Sequence, residues 1–298
     1  MMKKWTVMTA LILVVALLGA CSNGANESSS GSAKTENKSI KLAYVAWDSE
    51  IASTNVVKHV LESKLNYKVE MLQVDAGPMW VGIADGSADA MVAAWLPSTH
   101  ESYMEKYAQD IEDLGANLNG TKTGLAVPAY MDIDSIEDLT DAAAGETVNR
   151  QIIGIEPGAG IMMATERVLE EYALSDWTLV ESSSAAMAQQ LIQAYDEQKP
   201  VIVTAWTPHW MFANMELKYL EDPKGVYGGE EQIHTIVRKG LAEDKADAYK
   251  FLDQFEWTAD DMAAVMIAIQ EGKSPEEAAG AWVEANADKV GKWLEGIE

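Results

Sequence analysis

The sequence predicts an α/β fold of two similar lobes joined by a hinge. Three observations carry this. Short apolar strand patterns alternate with longer helical ones from Ile40 onward, as in parallel βαβ units with helices on both faces of a sheet. The series is then repeated, and both passes end alike, in Val92-Ala93-Ala94-Trp95-Leu96-Pro97 and Val203-Thr204-Ala205-Trp206-Thr207-Pro208. The spacing also matches, since Trp95 lies 55 positions after Ile40 and Trp206 lies 54 after Ile152. A period that long is not a solenoid repeat, so it reads as two lobes of like topology.

In the first pass, Ile40 to Val45 has the pattern of a strand. Ile51, Val56, Val57, Val60 and Leu61 recur at helical spacing. Val69 to Val74 is the next strand. Gly77-Pro78 opens a helix, because proline is tolerated in a first turn, and Gly86 closes it. Ala90 to Ala94 is a buried strand. In the second pass, Ile152 to Ile155, Trp177 to Val180 and Val201 to Ala205 are strands. Ile161 to Tyr172 and Ala185 to Tyr195 are the helices between them. Thr123 to Pro128 and Ile233 to Arg238 are strand-like and are expected to cross between lobes. The helices of 241–298 then return to the first lobe. The expected division is therefore 39–127 with 239–298 as one lobe and 128–238 as the other. The cleft lies at the carboxyl ends of the strands.

The first twenty residues are of another kind. Lys3 and Lys4 precede the apolar run Leu11 to Leu18, and small residues follow, as in an export signal. The run is too short for a comfortable membrane span. Leu18-Gly19-Ala20-Cys21 resembles a bacterial lipobox, which implies cleavage before Cys21 and a lipid on its sulfur. Cys21 is the only cysteine, so no intramolecular disulfide can form. The stretch 21–38, rich in Ser, Gly, Asn and Lys, reads as a flexible tether between a bilayer and the folded part.

The charge excludes one class of partner. The chain has 22 basic and 47 acidic side chains, a formal net charge of −25, which would repel nucleic acid. A small ligand is not excluded, since a local cage can override the global field.

Trp47, Trp95 and Trp206 each follow a predicted strand, where an open α/β lobe has its cleft edge. One tryptophan there is ordinarily core packing. Three, two of them in matched positions, suit a cation with no N–H to donate, held by cation–π attraction and methyl contact. A primary ammonium would instead need carboxylate or carbonyl acceptors. The turn Glu156-Pro157-Gly158-Ala159-Gly160-Ile161 runs from strand into helix, and the free N–H groups of Gly160 and Ile161 suit a carboxylate. His100, just beyond Pro97, is placed to donate to the same group. The other tryptophans of the folded part are expected to pack, Trp210 among them although it stands near Trp206.

Four motifs together resemble the glycine betaine-binding lipoproteins of osmoprotectant ABC transporters. They are Val45-Ala46-Trp47-Asp48-Ser49-Glu50, Ala94-Trp95-Leu96-Pro97-Ser98-Thr99-His100, Gly154-Ile155-Glu156-Pro157-Gly158-Ala159-Gly160-Ile161 and Trp206-Thr207-Pro208-His209-Trp210. The resemblance implies a two-lobed, type II periplasmic-binding-protein fold. It implies a quaternary ammonium cage of Trp47, Trp95 and Trp206, with Gly160, Ile161 and His100 on the carboxylate. It further implies glycine betaine or proline betaine as ligand, a membrane permease as partner and an extracytoplasmic location anchored through Cys21. In the relatives the chain most resembles, the half with the Gly-rich turn comes first; here it comes second, a circular permutation. Choline and carnitine are the nearest competing ligands. A sugar is disfavoured because the strand ends are poor in Asn, Gln and Arg. An exported hydrolase would need a nucleophile, base and orienter that cannot be placed among four scattered histidines and one cysteine. No cofactor, metal or catalytic group is expected.

Overall fold

The computed structural model describes residues 38–297. The expected export signal, Cys21 and nearly all of the tether lie outside the described residues. Strand–helix alternation begins with β1 (Ser39–Tyr44), α1 (Asp48–Ser63), β2 (Lys68–Gln73), α2 (Ala76–Ala84) and β3 (Ala90–Leu96). α3 (Glu101–Tyr107) leads into the long strand β4 (Ile111–Pro128). A 3-10 turn (Ile136–Thr140) and α4 (Ala142–Thr147) precede the second series. That series is β5 (Gln151–Ile153), α5 (Gly160–Glu171), β6 (Thr178–Val180), α6 (Ser184–Asp196) and β7 (Val203–Thr207). Then come α7 (Met211–Asn214), β8 (Leu217–Tyr219) and β9 (Glu231–Arg238). The chain closes with α8 (Leu241–Asp244), α9 (Ala246–Gln254), α10 (Ala259–Gln270), α11 (Pro275–Ala285) and α12 (Ala287–Trp293).

The two passes form matching parallel sheets. In the first, β1 pairs with β2 and β3; in the second, β5 pairs with β6 and β7. β3 is buried at every position, which is why its sequence is an apolar run and not an alternation. β4 joins the two sheets. Residues 111–121 of β4 pair antiparallel with β9, residues 122–126 with β7, and residues 126–128 with β8. β9 lies between β3 and β4, so its whole ladder is in the first sheet. The first half of β4 escaped the sequence pattern for a physical reason. Gly115 and Gly120 have positive φ, and the ladder to β9 shifts register repeatedly, so the period-two alternation is broken.

The C-terminal helices return to the first sheet, where α10 and α11 pack on α1, and α9 and α10 on β4. Their starts are chemically explicit. Thr258 with Asp261, and Ser274 with Glu277, form reciprocal capping boxes, and Pro275 occupies the first turn of α11. Phe251, Phe255, Trp257, Trp282 and Trp293 fill the space beneath them, with Trp282 stacked on Trp293 at 5.8 Å. These tryptophans are packing residues, as expected.

Candidate functional site

The carboxyl ends of the two sheets face each other. One cavity there is lined by Trp47, Trp95, Thr99, His100, Thr123, Ile155, Gly160, Ile161 and Trp206. All six residues predicted from the sequence are on that list, three from elements of each sheet. Trp95 and Trp206 stand inside the last two residues of β3 and β7, not after them, and Trp47 is the residue before α1. Both strands run two residues past the ends expected at Ala94 and Ala205. Two turns mirror one another, since Leu96-Pro97 and Thr207-Pro208 are both cis.

The indole of Trp47 lies roughly parallel to the His100 ring, 6.0 Å between centroids, and donates its N–H to Glu156 of the opposite sheet. Trp206 meets His209 edge to face at 4.7 Å. Behind His100, Trp80 crosses its ring edge-on and stacks on Tyr103. Tyr103 in turn donates to the Gly158 carbonyl across the cleft at 2.8 Å.

His100 is fully buried. Its Nδ1 accepts the backbone N–H of Trp95 at 3.0 Å, so in the neutral ring the proton is on Nε2. That Nε2 has no partner among the described residues. A buried donor without a partner is costly, and His100 lines the cavity, where an acceptor would relieve it. Opposite it, α5 is preceded by Ala159, which has no side chain able to cap the first-turn amides. Ser183 and Thr258 do cap theirs. The first turn of α5 is thus left open to an anion.

The turn carrying His100 is held by a residue that the sequence did not single out. Glu231, buried in β9, accepts the N–H groups of Ser98 at 2.8 Å and Thr99 at 2.7 Å, and also the Thr99 hydroxyl. No local motif reports this, because the partners are over 130 residues apart. Thr99, Thr123 and Ile155 were likewise unnoticed, being ordinary core types.

Three carboxyl groups lie near the aromatic part without lining the cavity. Burial pushes the Glu50 carboxyl well above its usual range, and nearby Glu156 adds to this. Burial also raises Glu156, against the opposing Trp47 N–H. For Asp48 burial acts upward, but contacts from His209, Trp210 and Ser184 outweigh it and hold the group below its usual value. Metal-ligand clusters of three or more His, Cys, Asp or Glu side chains do not occur among the described residues.

Burial drives the His100 imidazole down from 6.5 to about 3. The unfolded chain therefore takes the proton first, so this group lowers stability as pH falls from 6.5 toward 3. The expected slope is about 1.4 kcal/mol per pH unit. It should appear as the difference between the wild type and His100→Gln in urea unfolding at pH 6.5 and 4.5. Equal pH dependence in the two proteins would contradict the buried neutral ring.

The family described as the substrate binding domain of ABC-type glycine betaine transport system matches residues 38–285. The glycine betaine/carnitine transport binding protein GbuC of Listeria monocytogenes is 54% identical over 156 residues, a match spanning 52% of each protein. The crystal structure of lactococcal OpuAC, closed and complexed with glycine betaine, superposes with a TM-score of 0.82 at 47% identity, covering 86% of this chain and 99% of that one. A choline binding protein of an ABC transporter, in complex with choline, gives a TM-score of 0.82 at 27% identity, covering 88% and 93%. With a two-lobed α/β fold, matched sheets and a family match over most of its length, this chain belongs to the substrate-binding domains of ABC-type glycine betaine transport systems.

Proposed function

We propose that this protein captures glycine betaine, and proline betaine with it, between its lobes and delivers it to the membrane permease of an ABC importer. One observation carries the reading: three indoles, an unpartnered His100 Nε2–H and the uncapped start of α5 share one buried cavity. Trp47, Trp95 and Trp206 surround the methylated cation, which gains cation–π attraction from their faces. The carboxylate of Asp48, held ionised by its contacts to His209, Trp210 and Ser184, acts in the same direction. The amides of Gly160 and Ile161 and the His100 N–H take the carboxylate. Binding shifts the lobes toward the closed state, and the ligand leaves chemically unchanged.

The lobe boundaries that accompany this reading place 39–121 with β9 and the C-terminal helices, and 122 to about 230 in the second lobe. This assigns β9 to the first lobe, ahead of the boundary at 238 expected from sequence. The rest of the reading is anchorage outside the cytoplasm by a lipid on Cys21.

Titration of the wild type and the three single Trp→Ala variants with glycine betaine tests the cage. Trp95→Ala should lose about 2 kcal/mol or more of affinity, near thirtyfold. Unchanged affinity in all three variants would sink the cage. A calorimetric panel of glycine betaine, proline betaine, carnitine, choline and proline separates the ligands. The relatives named for carnitine and choline make those two the relevant competitors. Choline binding tighter than glycine betaine would overturn the carboxylate site at Gly160, since choline has no carboxylate.

A further inference from the structure

Asp48 follows Trp47 directly and opens α1, on the first-sheet side of the cleft. Its carboxylate collects donors from the other side. Trp210 Nε1 donates to Oδ1 at 3.0 Å and the Ser184 hydroxyl to Oδ2 at 3.3 Å. His209 Nε2 stands 3.4 Å from Oδ2, an electrostatic approach more than a full hydrogen bond. From its own side Gln270, the last residue of α10, donates to Oδ1 at 3.2 Å and steadies the group. The His209 side chain is fully buried, and its Nδ1 accepts the Met211 N–H at 3.2 Å. A neutral ring therefore carries its proton on Nε2, which stands beside Asp48 without forming a hydrogen bond among the described residues. Three groups thus donate to this one carboxylate, Trp210 and Ser184 from across the cleft and Gln270 from its own side. Asp48 does not line the ligand cavity.

The partners also reach both sides of the cage. Asp48 is covalently next to Trp47, and His209 supports the Trp206 indole edge to face. We propose that Asp48 is an interlobe latch, a positioning residue that holds the cleft shut through Ser184, His209 and Trp210 and so sets how long the ligand stays bound. The inference rests on the reading of the cavity as a capture site between closing lobes. It differs from the ordinary role of an acid at a helix start, which is to favour the N-terminal end of the dipole. A helix-start role would act on α1 and leave the far side of the cleft alone.

The test uses the full chain and two variants that remove one partner each, Asp48→Asn and Trp210→Phe. Stopped-flow tryptophan fluorescence with glycine betaine should show dissociation about tenfold faster in either variant, with association changed by less than about threefold. The double variant should be no more than about twice as fast as the faster single one, because both weaken the same contact. Multiplied effects, or unchanged dissociation in both, would overturn the latch. A second arm needs no ligand. Hydrogen exchange of the ligand-free Asp48→Asn protein should rise in the segments 184–188 and 209–214 and stay unchanged in α1. A change in α1 alone would assign Asp48 to the helix start and overturn the latch. A wild type that fails to bind glycine betaine would overturn the ligand reading only, and the exchange arm would still decide the latch.

Discussion

Replacing Gly160 with alanine is expected to abolish ligand capture while leaving the chain folded. A Cβ at this position would stand 2.2 Å from the Thr99 carbonyl oxygen, 2.6 Å from the Thr99 methyl and 2.9 Å from the His100 ring. Gly160 starts α5 on the second sheet, whereas Thr99 and His100 belong to the turn after β3 on the first. The clash thus exists only when the cleft is shut. Relief is not available locally, because Glu231 pins the Thr99 backbone and His100 is buried. In the open state alanine is the better helix former, by up to about 1 kcal/mol. Glycine betaine affinity should therefore fall by more than about a hundredfold, as for any backbone overlap that packing cannot absorb. Ligand-free thermal stability should stay level or rise. Calorimetric titration and thermal unfolding on the same sample measure both. Affinity within threefold of the wild type would mean that the lobes meet in a different register.

Glu231→Ala should have the other large effect, this time on stability as well. The substitution leaves the Ser98 and Thr99 amides and the Thr99 hydroxyl without their acceptor in a half-buried turn. A fully buried orphaned donor costs about 1–3 kcal/mol, and these are half-buried, so a total loss of about 1–3 kcal/mol is expected in urea unfolding. The turn runs from Trp95 to His100, whose backbone N–H bonds back to the Trp95 carbonyl at 2.9 Å. Loosening it should also weaken betaine binding at least tenfold, through misplacement of both residues. Glu231→Gln keeps one acceptor and should fall between the two. A destabilised Glu231→Ala protein with unchanged affinity would show that the turn does not need this support to hold His100.

The parts that were legible in the sequence share a cause. β3 is an apolar run because it is buried on both faces, and α10 and α11 announce their starts through capping residues three positions apart. Both signals are local, so a one-dimensional reading finds them. Trp47, Trp95 and Trp206 were legible because a large indole at a strand end is rare enough to notice, and because the second pass repeats the first. The first half of β4 was not legible, since its bulges and positive-φ glycines hide the alternation. Glu231, Asp48 and His209 were passed over for a different reason. Each acts through partners more than 130 residues away, or, for His209, through Asp48 on the other side of the cleft.

By itself, then, the sequence determined the α/β class, the doubled strand–helix order and the six residues that share the cavity. These depend on side-chain type and periodicity, which are properties of short segments. Tertiary structure alone decided that β4 joins the two sheets and that β9 sits beside β3. It also decided that Gly160 must remain small because Thr99 crosses against it. These are statements about which distant surfaces meet, and burial of one segment against another is a property of the pair, written in neither segment alone.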